Sequence, residues 1–271
     1  MNPHDDNPAP PPSPAAPDSG SARPRSERDL IAAAFQHHTP FEVVPGVDEP
    51  LPPPDTFPGY DIIREIHRGG QGVVYQAGQR ATKRRVAIKV MHNGPFAGSR
   101  GRARFEREVQ VLGQLNHPNI VRIHDSGVTK DGSFYYVMDY ISGKPLSEFV
   151  QSRHMSVEET LRLFEKICAG VNAAHLKGVI HRDLKPANIR IDQSGEPIVV
   201  DFGLAKIAVP DMLDEGGPTP EVMSITGQFI GSLPWASPEQ ADGAPSNIDV
   251  RTDVYSLGVV LYQLLTGKFP Y

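Results

Sequence analysis

The sequence predicts an α+β protein of two lobes, a β-rich lobe followed by an α-rich one. Three observations carry that expectation. Short runs rich in β-branched residues, separated by glycine or charged turns, occupy the stretch from Tyr60 to Tyr140. Beyond it, apolar residues recur at helical spacing. Strands followed by helices, rather than alternating with them, build separate layers. A cleft between two such lobes is a usual seat for a ligand.

The chain has 271 residues and a formal charge of −5. Residues 1–58 hold 15 of the 27 prolines, with nine acidic and three basic side chains. The acidity therefore belongs to this leader, and the remaining residues carry about +1 by subtraction. Proline without periodic apolar spacing reads as an extended, solvated and disordered segment. Arg28–His38 is the exception. It could form a transient helix, or a docking element for the body of the chain or for a partner. No stretch approaches the ~18 apolar residues of a spanning helix, and no secretory signal opens the chain. The single cysteine, Cys168, excludes an internal disulfide and suits a reducing, cytoplasmic setting. A slightly acidic total argues against a general nucleic-acid binder.

From Tyr60 the elements follow in order. Tyr60–His67, Gly72–Gly78 and Arg84–Met91 read as three antiparallel strands. Arg102–Leu115 sets Phe105, Val109, Leu112 and Leu115 at helical spacing. Ile120–Ser126 and Phe134–Tyr140 are strand-like again. Leu161, Phe164, Ile167, Cys168, Val171 and Ala174 form one helical stripe, stopped by Gly178. Cys168 on that stripe reads as a buried, inert thiol. Val254, Leu257, Val260, Leu261, Leu264 and Leu265 form a second stripe, stopped by Gly267.

Several polar residues interrupt this apolar frame. Gly69-Gly70-Gln71-Gly72 lies between two strands, where bare main chain can approach phosphate oxygens or simply turn. It is no dinucleotide-binding turn, since a strand follows it, and no Walker A loop occurs. Lys89 breaks the apolar strand Val86–Met91 and shares a face with the small Ala87. Glu108 sits on the inward stripe of its helix and needs a cation, for which Lys89 is the candidate. His181–Asn188 (HRDLKPAN) crowds polar side chains into a loop bracketed by apolar elements. There Asp183 could accept a hydroxyl proton, Lys185 could neutralise a phosphoryl group, and Asn188 could bind a hard cation. The run Ile198–Val200 then delivers Asp201 to a strand end, a position suited to Mg²⁺.

Taken together these residues resemble a eukaryotic-type (Hanks-type) serine/threonine protein kinase, with wording similar to the bacterial members. The resemblance covers Tyr60 to Tyr271. It rests on the glycine-rich loop ending at Val74, V-A-I-K at Lys89, the helix Glu108 and H-R-D-x-x-x-x-N at His181–Asn188. It also rests on D-F-G at Asp201–Gly203, Ser237-Pro238-Glu239, and Asp253–Gly258 (DVYSLG). It implies a bilobal fold, with residues 59–139 as N-lobe and 140–271 as a partial C-lobe. The C-lobe is expected to be incomplete, because relatives continue through further helices that supply an arginine to the Glu239 position.

The resemblance also implies roles. ATP and Mg²⁺ would be bound in the cleft, with Gly69, Gly70 and Gly72 over the phosphates. Ile66, Val74, Ala87, Met138 and Tyr140 would line the adenine site. Lys89, held by Glu108, would bind phosphates; Asn188 and Asp201 would hold Mg²⁺; Asp183 would be the catalytic base, assisted by Lys185. Asp253 would brace the catalytic loop. Ser232 would meet Asp183 and Lys185, and Arg182 would pair with a phosphate on Thr226, Ser224 or Thr219. Protein serines and threonines would be the substrates, with self-association possible for autophosphorylation. Two positions depart from the pattern. His67 replaces the first loop glycine, and Arg190 stands where an apolar residue packs under the adenine. A nucleotide-binding pseudokinase or scaffold, or an inactive fragment, is the alternative reading.

Overall fold

The computed structural model describes residues 50–92, 98–202, 233–242 and 248–271. Gly203, Thr219, Ser224, Thr226, Ser232 and the leader up to residue 49 lie outside them. The first five strands are β1 (Tyr60–Gly69), β2 (Gly72–Gln79), β3 (Arg85–Met91), β4 (Ile123–Val128) and β5 (Phe134–Asp139). They form one antiparallel sheet in the order β1-β2-β3-β5-β4, with α1 (Gly98–Gly113) inserted between β3 and β4. The strand expected from Ile120 starts three residues later. Ile120 instead makes an isolated parallel bridge to Val199, and Val121 N donates to Val199 O at 3.0 Å.

Strand alternation divides this sheet into two buried faces. Ala77, Val86, Ile88, Tyr135 and Val137 point outward, under Phe57 and Tyr60. Phe57 is 2% exposed and meets the Tyr135 ring edge-on at 5.0 Å. Val74, Ala87, Met91, Tyr136 and Met138 point inward, into the main core shared with α1 and the second lobe.

The second lobe begins with β6 (Gly143–Pro145) and α2 (Leu146–Arg153), neither of which the apolar pattern announces. Next comes α3 (Val157–His175), opened by a capping box between Ser156 and Glu159. Its buried face is Thr160, Leu163, Phe164, Ile167, Gly170, Val171 and Ala174. Leu161, expected on that face, is 44% exposed. Cys168 is half-buried, and burial pushes its thiol up, so it stays protonated. β7 (Ile189–Asp192) and β8 (Pro197–Val199) pair antiparallel with β6 in a small sheet. α4 (Pro238–Ala241) and α5 (Val250–Thr266) complete the described residues, α5 ending at Gly267 with φ 71°. Val254 and Leu265 are exposed, because α5 turns Thr252, Asp253, Ser256, Leu257, Val259 and Val260 inward instead. No helix among the described residues is long and apolar enough to cross a membrane.

Candidate active site

β3 brings Lys89 to the cleft as its alternation requires. Val86 and Ile88 lie in the outer cluster, while Ala87 and Lys89 face inward. The Lys89 side chain is 6% exposed, and its Nζ lies 3.0 Å from Asp201 Oδ1. Asp201 follows β8 with φ 61°, a left-handed conformation that costs a non-glycine residue about 1–3 kcal/mol. The contacts it makes there offset that cost. Tyr136 Oη donates to Asp201 Oδ1 at 3.3 Å, from the β5 position directly opposite Lys89. Burial alone would raise the Asp201 carboxyl, but the Lys89 ammonium holds it below its ordinary value.

The ion pair described for Lys89 is with Asp201, where the sequence suggested Glu108. Glu108 is half-buried on α1, and the Asp201 side chain is 17% exposed.

The loop carrying Asp183 is pinned from below. His181 is fully buried against Phe202, with ring centroids 4.7 Å apart. Its Nε2 lies 2.9 Å from Val200 O, and Asp183 N donates to its Nδ1 at 3.3 Å. An accepting Nδ1 and a donating Nε2 define a neutral imidazole. Burial pushes its pKa down in the same sense. Asp253 receives His181 N at 2.8 Å, Arg182 N at 2.9 Å and His175 Nε2 at 2.7 Å. Burial opposes its charge, yet these donors hold the carboxyl below its ordinary value. Arg182, at φ 64°, is held in its strained conformation by that carboxylate and by Gln240 Nε2, which donates to Arg182 O at 2.7 Å.

Asp183 Oδ2 then collects three donors: Asn188 Nδ2 at 2.9 Å, Lys185 Nζ at 3.2 Å and Gln71 Nε2 at 3.3 Å. Gln71 Oε1 in turn accepts from Lys89 Nζ at 3.3 Å. One polar network therefore runs from Tyr136 through Asp201, Lys89 and Gln71 to Asp183, Lys185 and Asn188. Val200 N donates to Asn188 O at 2.9 Å, which sets Asn188 beside the strand end that carries Asp201. Both Asn188 amide bonds, to Asp183 O and Oδ2, use its nitrogen and leave its oxygen for a cation. Among the described residues no group of three or more His, Cys, Asp or Glu side chains could hold a metal alone. Asp201 and Asn188 are two hard oxygen donors, the set Mg²⁺ takes when phosphate oxygens supply the rest.

Three of the remaining predicted residues line the same side of the sheet. Val74, Ala87 and Met138 are buried on its inner face, with Ala87 directly opposite Met138. Ile66 on β1 is 36% exposed. Tyr140 is half-buried and receives Arg64 Nη2 at 3.4 Å. Arg190 lies on β7 between the buried Ile189 and Ile191 and donates to Gly143 O. Burial lowers its guanidinium pKa. Gly69 and Gly72 pair to close the β1–β2 turn that carries Gly70 and Gln71. Gly72 adopts φ 151°, and a Cβ there would stand 2.0 Å from Val90 O. Its glycine identity is therefore also demanded by the packing of β2 on β3. The His67 ring lies against Gly69, whose added Cβ would be 3.1 Å from Nε2. Glu239 accepts from Thr252 Oγ1 at 2.5 Å.

Two residues of the network escaped the sequence reading. Gln71 looks like one more turn residue. Tyr136 looks like a core aromatic; its parity with Met138 puts it on the inner face, but only the folded sheet sets it opposite Lys89.

A family model for the protein kinase domain matches residues 60–271. The chain is 37% identical over 218 residues to the serine/threonine-protein kinase pkn3 of Myxococcus xanthus, covering 78% of this chain and 38% of that protein. It is 37% identical over 214 residues to a probable serine/threonine-protein kinase, PknB, of Lactococcus lactis, covering 78% and 32%. It thus spans about a third of the length of these curated relatives. Among solved structures, the PknI kinase domain of Mycobacterium tuberculosis superposes with a TM-score of 0.60 at 27% identity, covering 80% of this chain and 77% of that one. By sequence, by fold and by the residues gathered between its lobes, the chain belongs to the protein kinase family.

Proposed function

We propose that residues 59–271 form a protein serine/threonine kinase domain, with lobes meeting at residues 139 and 140, that transfers the γ-phosphoryl group of ATP to protein hydroxyls. The observation that carries this reading is the convergence of Lys89, Asp201, Asp183, Lys185 and Asn188 in one buried polar network. Phosphoryl transfer asks mainly for positioning and charge neutralisation. Lys89 binds the α- and β-phosphates, leaving Asp201 for the metal. Asp201 and Asn188 hold Mg²⁺, which when bound screens the phosphate oxygens. Gly69, Gly70 and Gly72 cover the phosphates, and Ile66, Val74, Ala87, Met138 and Tyr140 enclose the base. Asp183 orients the substrate hydroxyl and takes its proton, while Lys185 meets the charge developing on the transferring group. Glu108 takes the Lys89 ammonium when the phosphates bind. Protein substrates, a second copy of the chain in autophosphorylation, and a reducing cytoplasmic setting complete the reading.

The test is phosphate incorporation from Mg-ATP by the intact chain and by Asp183→Asn, into itself and into a Ser/Thr peptide mixture. Removing a positioned base should cost roughly a hundredfold or more. Equal incorporation by both proteins would reject Asp183 as the base.

A further inference from the structure

The turn between β1 and β2 is glycine at three of four positions, a composition that brings bare main chain close to a ligand. Gln71, a long amide, sits in its midst. That amide is used at both ends, and both ends cross the cleft. Its Oε1 accepts from Lys89 Nζ at 3.3 Å, and its Nε2 donates to Asp183 Oδ2 at 3.3 Å. A carbonyl oxygen thus faces the ammonium where a phosphate oxygen would, and an N–H faces the carboxylate where a substrate hydroxyl would. Asp183 Oδ2 already takes Asn188 Nδ2 at 2.9 Å and Lys185 Nζ at 3.2 Å, so a third donor saturates that oxygen. From the other side, His92 Nε2 lies 3.1 Å from Gly69 O and ties the same turn to the end of β3.

We propose that Gln71 is a latch: it holds the glycine turn down on Lys89 and Asp183, and an incoming nucleotide and hydroxyl must displace it. This rests on the nucleotide-site reading given above. The chemistry suits glutamine in particular. A glutamate would strengthen the Lys89 end and repel Asp183; a lysine would do the reverse; an aliphatic residue would reach neither. Because the latched state competes with the ligand, the apparent dissociation constant rises by the inverse of the open fraction. Two hydrogen bonds to charged groups, both at the long end of the range, correspond to a roughly threefold to tenfold effect.

The test is calorimetric titration of the intact chain, Gln71→Ala and Gln71→Glu with a non-hydrolysable Mg-ATP analogue. Hydrogen exchange at residues 69–72 of the free proteins is measured alongside. The latch requires Gln71→Ala to bind roughly threefold to tenfold tighter and its turn amides to exchange faster. It requires Gln71→Glu to bind more weakly than Gln71→Ala, because its carboxylate competes with phosphate for Lys89. Unchanged or weaker binding by Gln71→Ala, or unchanged exchange, would overturn the latch and leave the nucleotide site standing. Failure of both the parent chain and Gln71→Ala to bind the analogue would overturn both. Binding by Gln71→Ala alone would be the strongest support for the latch.

Discussion

At the scale of single residues, the Tyr136 hydroxyl is the least expected member of the site. It sits on a fully buried ring, and its partner is the carboxylate assigned to the metal. Burial and that carboxylate together raise its pKa well above the ordinary tyrosine value, so it keeps its proton and donates a hydrogen bond at any working pH. Tyr136→Phe removes one hydrogen bond and no packing volume. We expect the fold to be kept and the Mg²⁺ concentration for half-maximal nucleotide binding to rise about fivefold, the equivalent of ~1 kcal/mol. Binding of metal-free nucleotide should stay unchanged; a Mg²⁺ titration that did not move would deny Tyr136 this role. Lys89, Asp183, Asn188 and Asp201 were legible in the sequence because each breaks an apolar context or closes a polar run, whereas Asp253 was legible only through the family resemblance of Asp253–Gly258. Gln71 and Tyr136 were not, because their types suit their local elements. Their partners lie 112 and 65 residues away, a separation that only the folded chain closes.

At the scale of elements, the first three strands were legible from alternation, since one face of each must be apolar. The long helices were legible from their stripes. β6 and α2 were not: three residues carry no period, and α2 fully buries only Leu146. Leu161 is exposed because the buried stripe of α3 runs through Thr160, Leu163, Phe164 and Ile167, which leaves position 161 at its edge. Gly72 links element to site. Its φ of 151° and the 2.0 Å approach of an added Cβ to Val90 O leave no room for a side chain, and the blocking atom is main chain. Gly72→Ala must therefore push β2 from β3 at the point where their pairing begins, opposite Met91. A loss of about 1–3 kcal/mol in urea unfolding is expected, with weaker nucleotide binding as Lys89 shifts. Unaltered stability would show that the turn yields more easily than this contact implies.

At the scale of the whole of the described body, the lobes are joined through main chain as well as side chains. Val121 N donates to Val199 O, Val199 N to Asn119 O at 2.9 Å, and Asn119 Nδ2 to Pro197 O at 2.8 Å, so the segment after α1 clamps β8. From the other side, α5 holds the start of the His181–Asn188 loop through Asp253. Both supports meet at His181, which stays neutral because burial depresses its pKa. An unfolded histidine titrates near 6.5 and the folded one lower, so the unfolded state binds the extra proton first. Stability from this group is fully present above about pH 6.5 and is lost as pH falls toward the folded value. His67 shifts in the same sense, also through desolvation, but as an exposed residue it is worth less. Asp201 and Asp253, both depressed, add their loss only below the ordinary aspartate range near 4. Between pH 7 and pH 5 the histidine should therefore dominate, with a loss of at most about 2 kcal/mol. His181→Gln keeps a donor toward Val200 O without a titrating ring. It should be less stable than the parent at pH 7, yet lose less between pH 7 and pH 5, as read from urea midpoints at both values. An equal loss in parent and variant would place the acid sensitivity elsewhere and remove His181 as its source.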